Sequence, residues 1–85
     1  MTQAMAASVV TTPSGTLSPT NPVVKFTSTG AVRSIAPVDF DVPIYLIAAG
    51  GDVALETGGN IGSAKTILNG SVCTLVRDGG GTWWP

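Results

Sequence analysis

GSVCTLVRDGGGTWWP, residues 70–85, carries a run of strand-forming residues, a dense glycine turn and both tryptophans of the chain. Val72, Cys73, Thr74, Leu75 and Val76 form a compact apolar and β-branched run. Asn69-Gly70 precedes it and Asp78 to Gly81 follow it, the pattern of a strand closed by turns. Beyond the glycines the chain comes back through Thr82-Trp83-Trp84, so we read a terminal hairpin that brings two large rings together to close a core.

Working upstream, Lys65-Thr66-Ile67-Leu68 is a short strand. Asn69-Gly70 after it is a two-residue hairpin signal, because both central positions of a type I′ turn need positive φ. Gly50-Gly51-Asp52 turns into the alternating Val53-Ala54-Leu55-Glu56, and Thr57 to Ser63 is a glycine-rich loop. Ile44 to Ala49 is apolar on both faces, as in a strand covered from both sides, and in so small a chain the second cover is expected from a partner. Val38-Asp39-Phe40-Asp41-Val42 alternates, with one wet and one buried face. Val23 to Ser28 and Ala31 to Ile35 are expected to pair as a hairpin across Thr29-Gly30, ended by Pro37. The blocks Val53-Ala54-Leu55 to Gly58-Gly59 and Cys73-Thr74-Leu75 to Gly79-Gly80 share a strand-then-diglycine rhythm, read as repeated hairpin units and not as a solenoid.

Residues 1–22, rich in Ala, Ser, Thr and Pro, read as an extended N-terminal arm. Its strand-like piece is Ser8 to Thr12, which would lie along a neighbouring subunit as an added strand. Eleven glycines, six prolines and no apolar run at helical spacing leave little room for a helix. The fold expected is all-β: a small antiparallel β-sandwich or barrel-like protomer over residues 23–85, with the arm over residues 1–22.

At 85 residues an isolated monomer buries only about 60 to 65% of the surface its unfolded chain exposes. Disulfides, a metal or oligomerisation ordinarily compensate. One cysteine and no histidine exclude an intrachain disulfide and the common zinc sites, which leaves oligomerisation. Hydrophobic residues make up 44% of the chain and charged residues 11%, against about 25% charged in an average domain. A net charge of −1 with four scattered basic residues offers no stripe for phosphates, so nucleic acid is not an expected partner. The longest apolar run, Val42 to Ala49, is far below the roughly 18 to 20 residues of a membrane-spanning helix, so no membrane partner is expected. The start, MTQAMAASVVTT, has neither the basic region nor the continuous apolar region of a secretory signal.

Chemistry finds few footholds. Gly58 to Thr66 (GGNIGSAKT) approaches a phosphate-binding P-loop, but Ala64 separates Lys65 from the last glycine and strand-like residues follow. Asp39 and Asp41, two apart on a strand, would set their carboxylates roughly 6 to 7 Å apart, without a third acid or a histidine to complete an acid–base or calcium site. Catalytic triads need a histidine that the chain lacks. Cys73 reads as a buried structural thiol, and Asn69-Gly70-Ser71 matches a glycosylation acceptor that the turn explains without glycan. Trp83 and Trp84 suit either core closure and subunit contact or a sugar-stacking platform. No catalytic, metal or cofactor residue is assigned and no enzyme is expected; the candidate contact residues are Val9, Val10, Ile44, Tyr45, Leu46, Ile47, Trp83 and Trp84.

From Asp52 to Pro85 the apolar strand, Gly59-Asn60-Ile61, the strand Val72 to Val76 and Asp78-Gly79 leading to Trp83 resemble a motif of bacteriophage virion proteins. In that motif a strand ends in an Asp-Gly turn followed closely by Trp. The stretch is similar to C-terminal modules of phage tail spikes and fibres and to small β-rich head proteins. The resemblance implies an intertwined homotrimer and a place in the virion, assembled in the host cytoplasm. It points first to a capsid decoration or cement subunit bound to a major capsid protein or another virion protein, and second to a tail spike or fibre module that binds a host receptor or glycan.

Overall fold

The computed structural model describes residues 8–10, 15–19, 21–38 and 42–85. They form an all-β structure without helices, of ten short strands in chain order: β1 (Ser8–Val10), β2 (Thr16–Leu17), β3 (Val23–Phe26), β4 (Gly30–Val32), β5 (Ser34–Ile35), β6 (Ile44–Ala48), β7 (Val53–Leu55), β8 (Lys65–Ile67), β9 (Val72–Arg77) and β10 (Trp83–Trp84). A five-stranded sheet has the order β1-β3-β6-β9-β10, a three-stranded sheet the order β4-β7-β8, and β2 pairs with β5.

Successive passes of the chain stack in parallel. β1 lies beside β3 and β3 beside β6, with Val24 opposite Ser8 on one side and Leu46 on the other. β2 pairs in parallel with β5, and β4 with β7. The chain therefore winds round three sides, and each pass lays a strand on the one before. The winding ends in antiparallel pairs: β8 returns along β7, β9 along β6, and β10 along β9.

This pairing differs in two places from what local signals suggest. Val23 to Ser28 and Ala31 to Ile35 do not form a hairpin: β3 and β4 belong to different sheets, so Thr29-Gly30 is a corner of the winding. Asn69-Gly70 is likewise a corner, leading from β8 in the three-stranded sheet to β9 in the five-stranded one. No non-glycine residue among those described has positive φ, and Gly70 has φ of 86°. With the Ser71 N–H donating to the Leu68 carbonyl at 2.9 Å, this is the type II pattern, whose twist does not suit a two-residue hairpin. The two strand-then-diglycine blocks each lead into an antiparallel pair of consecutive strands, β7 with β8 and β9 with β10, as expected of repeated hairpin units. The terminal hairpin of β9 and β10 is present as expected.

Alternation along each strand sends one side chain in two to a common interior. The five-stranded sheet contributes Val24, Phe26, Ile44, Leu46, Ala48, Cys73 and Leu75; the three-stranded sheet and its neighbours contribute Val32, Val53, Leu55 and Ile67; the third side contributes Leu17, Ile35, Ile61 and Trp83. Each fully buried large aliphatic or Phe side chain here is worth about 1.5 to 3 kcal/mol. No polar or charged side chain is buried among the described residues. Where passes stack most closely the chain uses glycine: a Cβ on Gly50 would overlap the Thr27 carbonyl of the preceding pass.

The two pieces of residues 1–22 that form strands, β1 and β2, pair with strands of the same chain, and Leu17 joins its core. The expected strand Val38 to Val42 falls partly on residues 39–41, outside the described residues, and the Asp39/Asp41 pair lies there too.

Candidate functional site

The side chains opposite the core on the five-stranded sheet form its outer face. Register places Val23, Tyr45 and Thr74 on one level across β3, β6 and β9, and Lys25, Ile47 and Val72 on the next outward level. Trp84 sits beside Val76 at the far edge. Directly paired residues share a face, so Tyr45, Ile47, Val72, Val76 and Trp84 make one apolar surface. Tyr45 is 41% exposed, Val72 59%, Val76 51% and Trp84 46%. Lys25 is the one charged side chain among the outward positions of β3, β6, β9 and β10.

The Trp84 corner is held by the turn before it. The Asp78 carboxylate accepts the Gly80 N–H at 2.8 Å and the Thr82 N–H at 3.0 Å through Oδ1, while its Oδ2 accepts the indole N–H of Trp84 at 3.0 Å. These donors, the Trp84 indole first, hold the Asp78 carboxyl below its ordinary range. On the other side Trp84 lies on Gly62, where a Cβ would overlap the indole ring. The ring therefore has a fixed position while nearly half of it faces solvent.

Trp83 plays the opposite part. It is 3% exposed, its N–H donates to the Asn60 carbonyl at 2.7 Å and its carbonyl accepts the Gly62 N–H at 2.8 Å. The Arg77 guanidinium stands 5.6 Å from its ring centroid, a cation–π distance. β10 thus closes the seam between the five-stranded sheet and the Asn60-Ile61 segment.

The residues singled out from sequence separate accordingly. Ile44 and Leu46 point into the chain's own core, Tyr45 and Ile47 point outward on the same strand, and the tryptophans divide into Trp83 inside and Trp84 outside. Val9 and Val10 pair through β1 with Lys25 and Phe26. Sequence reasoning missed Val72, Val76 and Lys25 as surface partners, because Val72 to Val76 reads as one apolar block. The signal available was its alternation: Cys73 and Leu75 are inside, and Val72, Thr74 and Val76 outside. Cys73 is buried as expected; burial pushes its thiol above the ordinary value, with the Lys65 ammonium working against that rise. Lys65 and Thr66 of the P-loop near miss lie on a strand, β8.

Elsewhere the described residues line open grooves, such as one of about 220 Å³ between Ile35–Val38, Asn60 and Trp83. No cluster of three or more His, Cys, Asp or Glu residues with metal-binding geometry occurs among the described residues. No helix among them is long and apolar enough to cross a membrane. Compared with protein-family models, curated proteins and solved structures, the chain matches none.

Proposed function

We propose that this chain is a viral structural protein, a capsid decoration or cement subunit that works by binding other subunits. The observation that carries the assembly part of this reading is the outer face of the five-stranded sheet, where Tyr45, Val72, Val76 and Trp84 are exposed in a chain with 11% charged residues. A surface of that kind marks an interaction site. The virion part rests on the resemblance of Asp52 to Pro85 to phage virion modules. Repetition in a shell makes each contact multivalent, so a modest interface suffices once the particle is built.

Mass spectrometry of particles purified from the chain's own source tests this directly. The chain is expected at stoichiometric abundance in particles banded on a density gradient. Its absence from banded particles, with expression confirmed in the infected cells, overturns the reading.

One observation favours the tail spike or fibre alternative. Trp84 is held with an open ring face beside Asp78 and Thr82, and such a ring suits stacking on a pyranose. Under that reading, host surface glycans quench or shift the Trp84 emission, and Trp84→Ala abolishes binding while the fold survives.

A further inference from the structure

Asn69-Gly70 stands at an exposed corner between β8 and β9. Asparagine is a thermolabile residue, and most so before glycine, because its side-chain amide is lost when the next backbone nitrogen attacks the side-chain carbonyl carbon. Glycine has no Cβ to hinder that approach. The surroundings are open as well, since a Cβ on Gly70 would meet nothing within 4 Å.

Three successive N–H groups nevertheless hold this corner shut. The Asn69 N–H donates to Asp52 Oδ1 at 2.8 Å, the Gly70 N–H to the Ala48 carbonyl at 2.7 Å and the Ser71 N–H to the Leu68 carbonyl at 2.9 Å. The Ser71 carbonyl accepts the Ala48 N–H at 3.0 Å, so the end of β6 grips the corner twice. Asp52 is itself tied to an earlier part of the winding, its carbonyl accepting the Thr29 hydroxyl at 2.6 Å.

We propose that Asn69 is a deamidation site which the fold keeps latched, so that it reacts only when this corner opens. The nucleophile is the Gly70 nitrogen, which must give up its proton to attack. In the closed corner the Ala48 carbonyl holds that proton. Ring closure also needs the Gly70 nitrogen eclipsed with the Asn69 Cβ about the Cα–C bond. A type II turn sets ψ of its first central residue to about +120°, which turns the nitrogen away from that position. Opening releases both constraints. The Gly70 nitrogen then bonds to the Asn69 side-chain carbon, its proton passes to the departing amide nitrogen, and ammonia leaves a cyclic succinimide. Water opens the ring at either carbonyl, giving aspartate or isoaspartate. Both products carry a carboxylate in place of the amide, near the Asp52 carboxylate that accepts the Asn69 N–H. Isoaspartate also lengthens the main chain by one carbon between the Asp52 and Ala48 contacts. A passing opening thus becomes a permanent loosening of the β8–β9 connection. The site needs no partner and is independent of the virion reading.

The full chain held in mildly alkaline buffer, folded and in parallel unfolded in guanidinium chloride, tests this. Peptides spanning residue 69 are resolved by chromatography and mass spectrometry. The unfolded chain is expected to deamidate at least about tenfold faster than the folded one, because protection scales with the free energy of local opening. Asp52→Ala, at an exposed position, removes the acceptor of the Asn69 N–H and is expected to speed the folded reaction severalfold while the unfolded rate stays the same. Asp52→Asn keeps an oxygen acceptor and is expected to stay closer to the unaltered chain. Hydrogen exchange at the Gly70 amide is expected to be protected in parallel, since both processes wait on the same opening. Equal deamidation rates in the folded and unfolded chains overturn the proposal, as does a folded rate indifferent to Asp52→Ala. Should that variant fail to fold, the unaltered chain decides: a Gly70 amide that exchanges freely while Asn69 stays intact overturns the latch.

Discussion

Asp78 is fully exposed, yet three N–H groups converge on its carboxylate. Because those donors favour the charged form, its pKa in the folded chain lies below that of the unfolded chain. The stabilisation is thus complete above the ordinary carboxylate pKa of about 3.9 and is lost as pH falls through the depressed folded value. Acid titration below about pH 4 is expected to release the indole and change the Trp84 emission. Asp78→Asn, which keeps one carbonyl acceptor for the backbone but places donors where the indole donates, is expected to remove that acid transition; a transition that persists would assign it to another carboxyl. The neighbouring tryptophans differ in worth because alternation turns them opposite ways. Trp83→Ala is expected to cost about 3 to 5 kcal/mol in urea unfolding, and Trp84→Ala about 1 to 2 kcal/mol, since nearly half its surface is already in water. Equal losses would show that the 46% exposure of Trp84 does not describe the molecule in solution.

At the scale of elements, the Gly58–Ser63 loop does what a strand does on the other sides. Asn60 accepts the Ile35 N–H at 2.7 Å through Oδ1 and donates through Nδ2 to the Ile35 carbonyl at 2.8 Å, so one side-chain amide stands in for a strand laid beside β5. Ile61 then fills the interior and pairs with Trp83. Asn60→Ala leaves both Ile35 backbone groups without those partners and is expected to cost about 1 to 3 kcal/mol. Asn60→Asp is expected to do no better, since a carboxylate cannot donate to the Ile35 carbonyl; full retention of stability in either variant, read by urea unfolding, would refute the substitute-strand role. Nothing in TGGNIGS announces this from sequence, because the amide's partner lies 25 residues away and its use depends on the stacking. The strands themselves were legible wherever β-branched residues cluster, as in Val23–Phe26, Ile44–Ala48 and Val72–Arg77. Their partners were not. Thr29-Gly30 and Asn69-Gly70 carry hairpin chemistry, and competing partners turn them into corners, parallel ones for β3 and β4 and antiparallel ones for β8 and β9.

Over the whole molecule, stacking makes each pass the floor of the next, so loss at one level is felt above it. Removing residues 1–22 takes Leu17 from the core and strips β1 from β3 and β2 from β5. A chain of residues 23–85 is expected to lose at least about 2 to 3 kcal/mol, measured as the midpoint of thermal unfolding against the full chain; an unchanged midpoint would make that segment dispensable for folding. Low charge, the missing helix signals, the strand content and the single buried thiol were all set by composition and local pattern, because these depend on residue type and near neighbours. So was the terminal hairpin, whose turn chemistry and strands lie within 14 residues of one another, from Val72 to Pro85. The separation of Tyr45 and Trp84 from Ile44 and Trp83 and the mixed order of the sheets were decided by tertiary structure. Each depends on which distant strand lies alongside, and a shift of one residue in that register reverses every side chain between core and solvent.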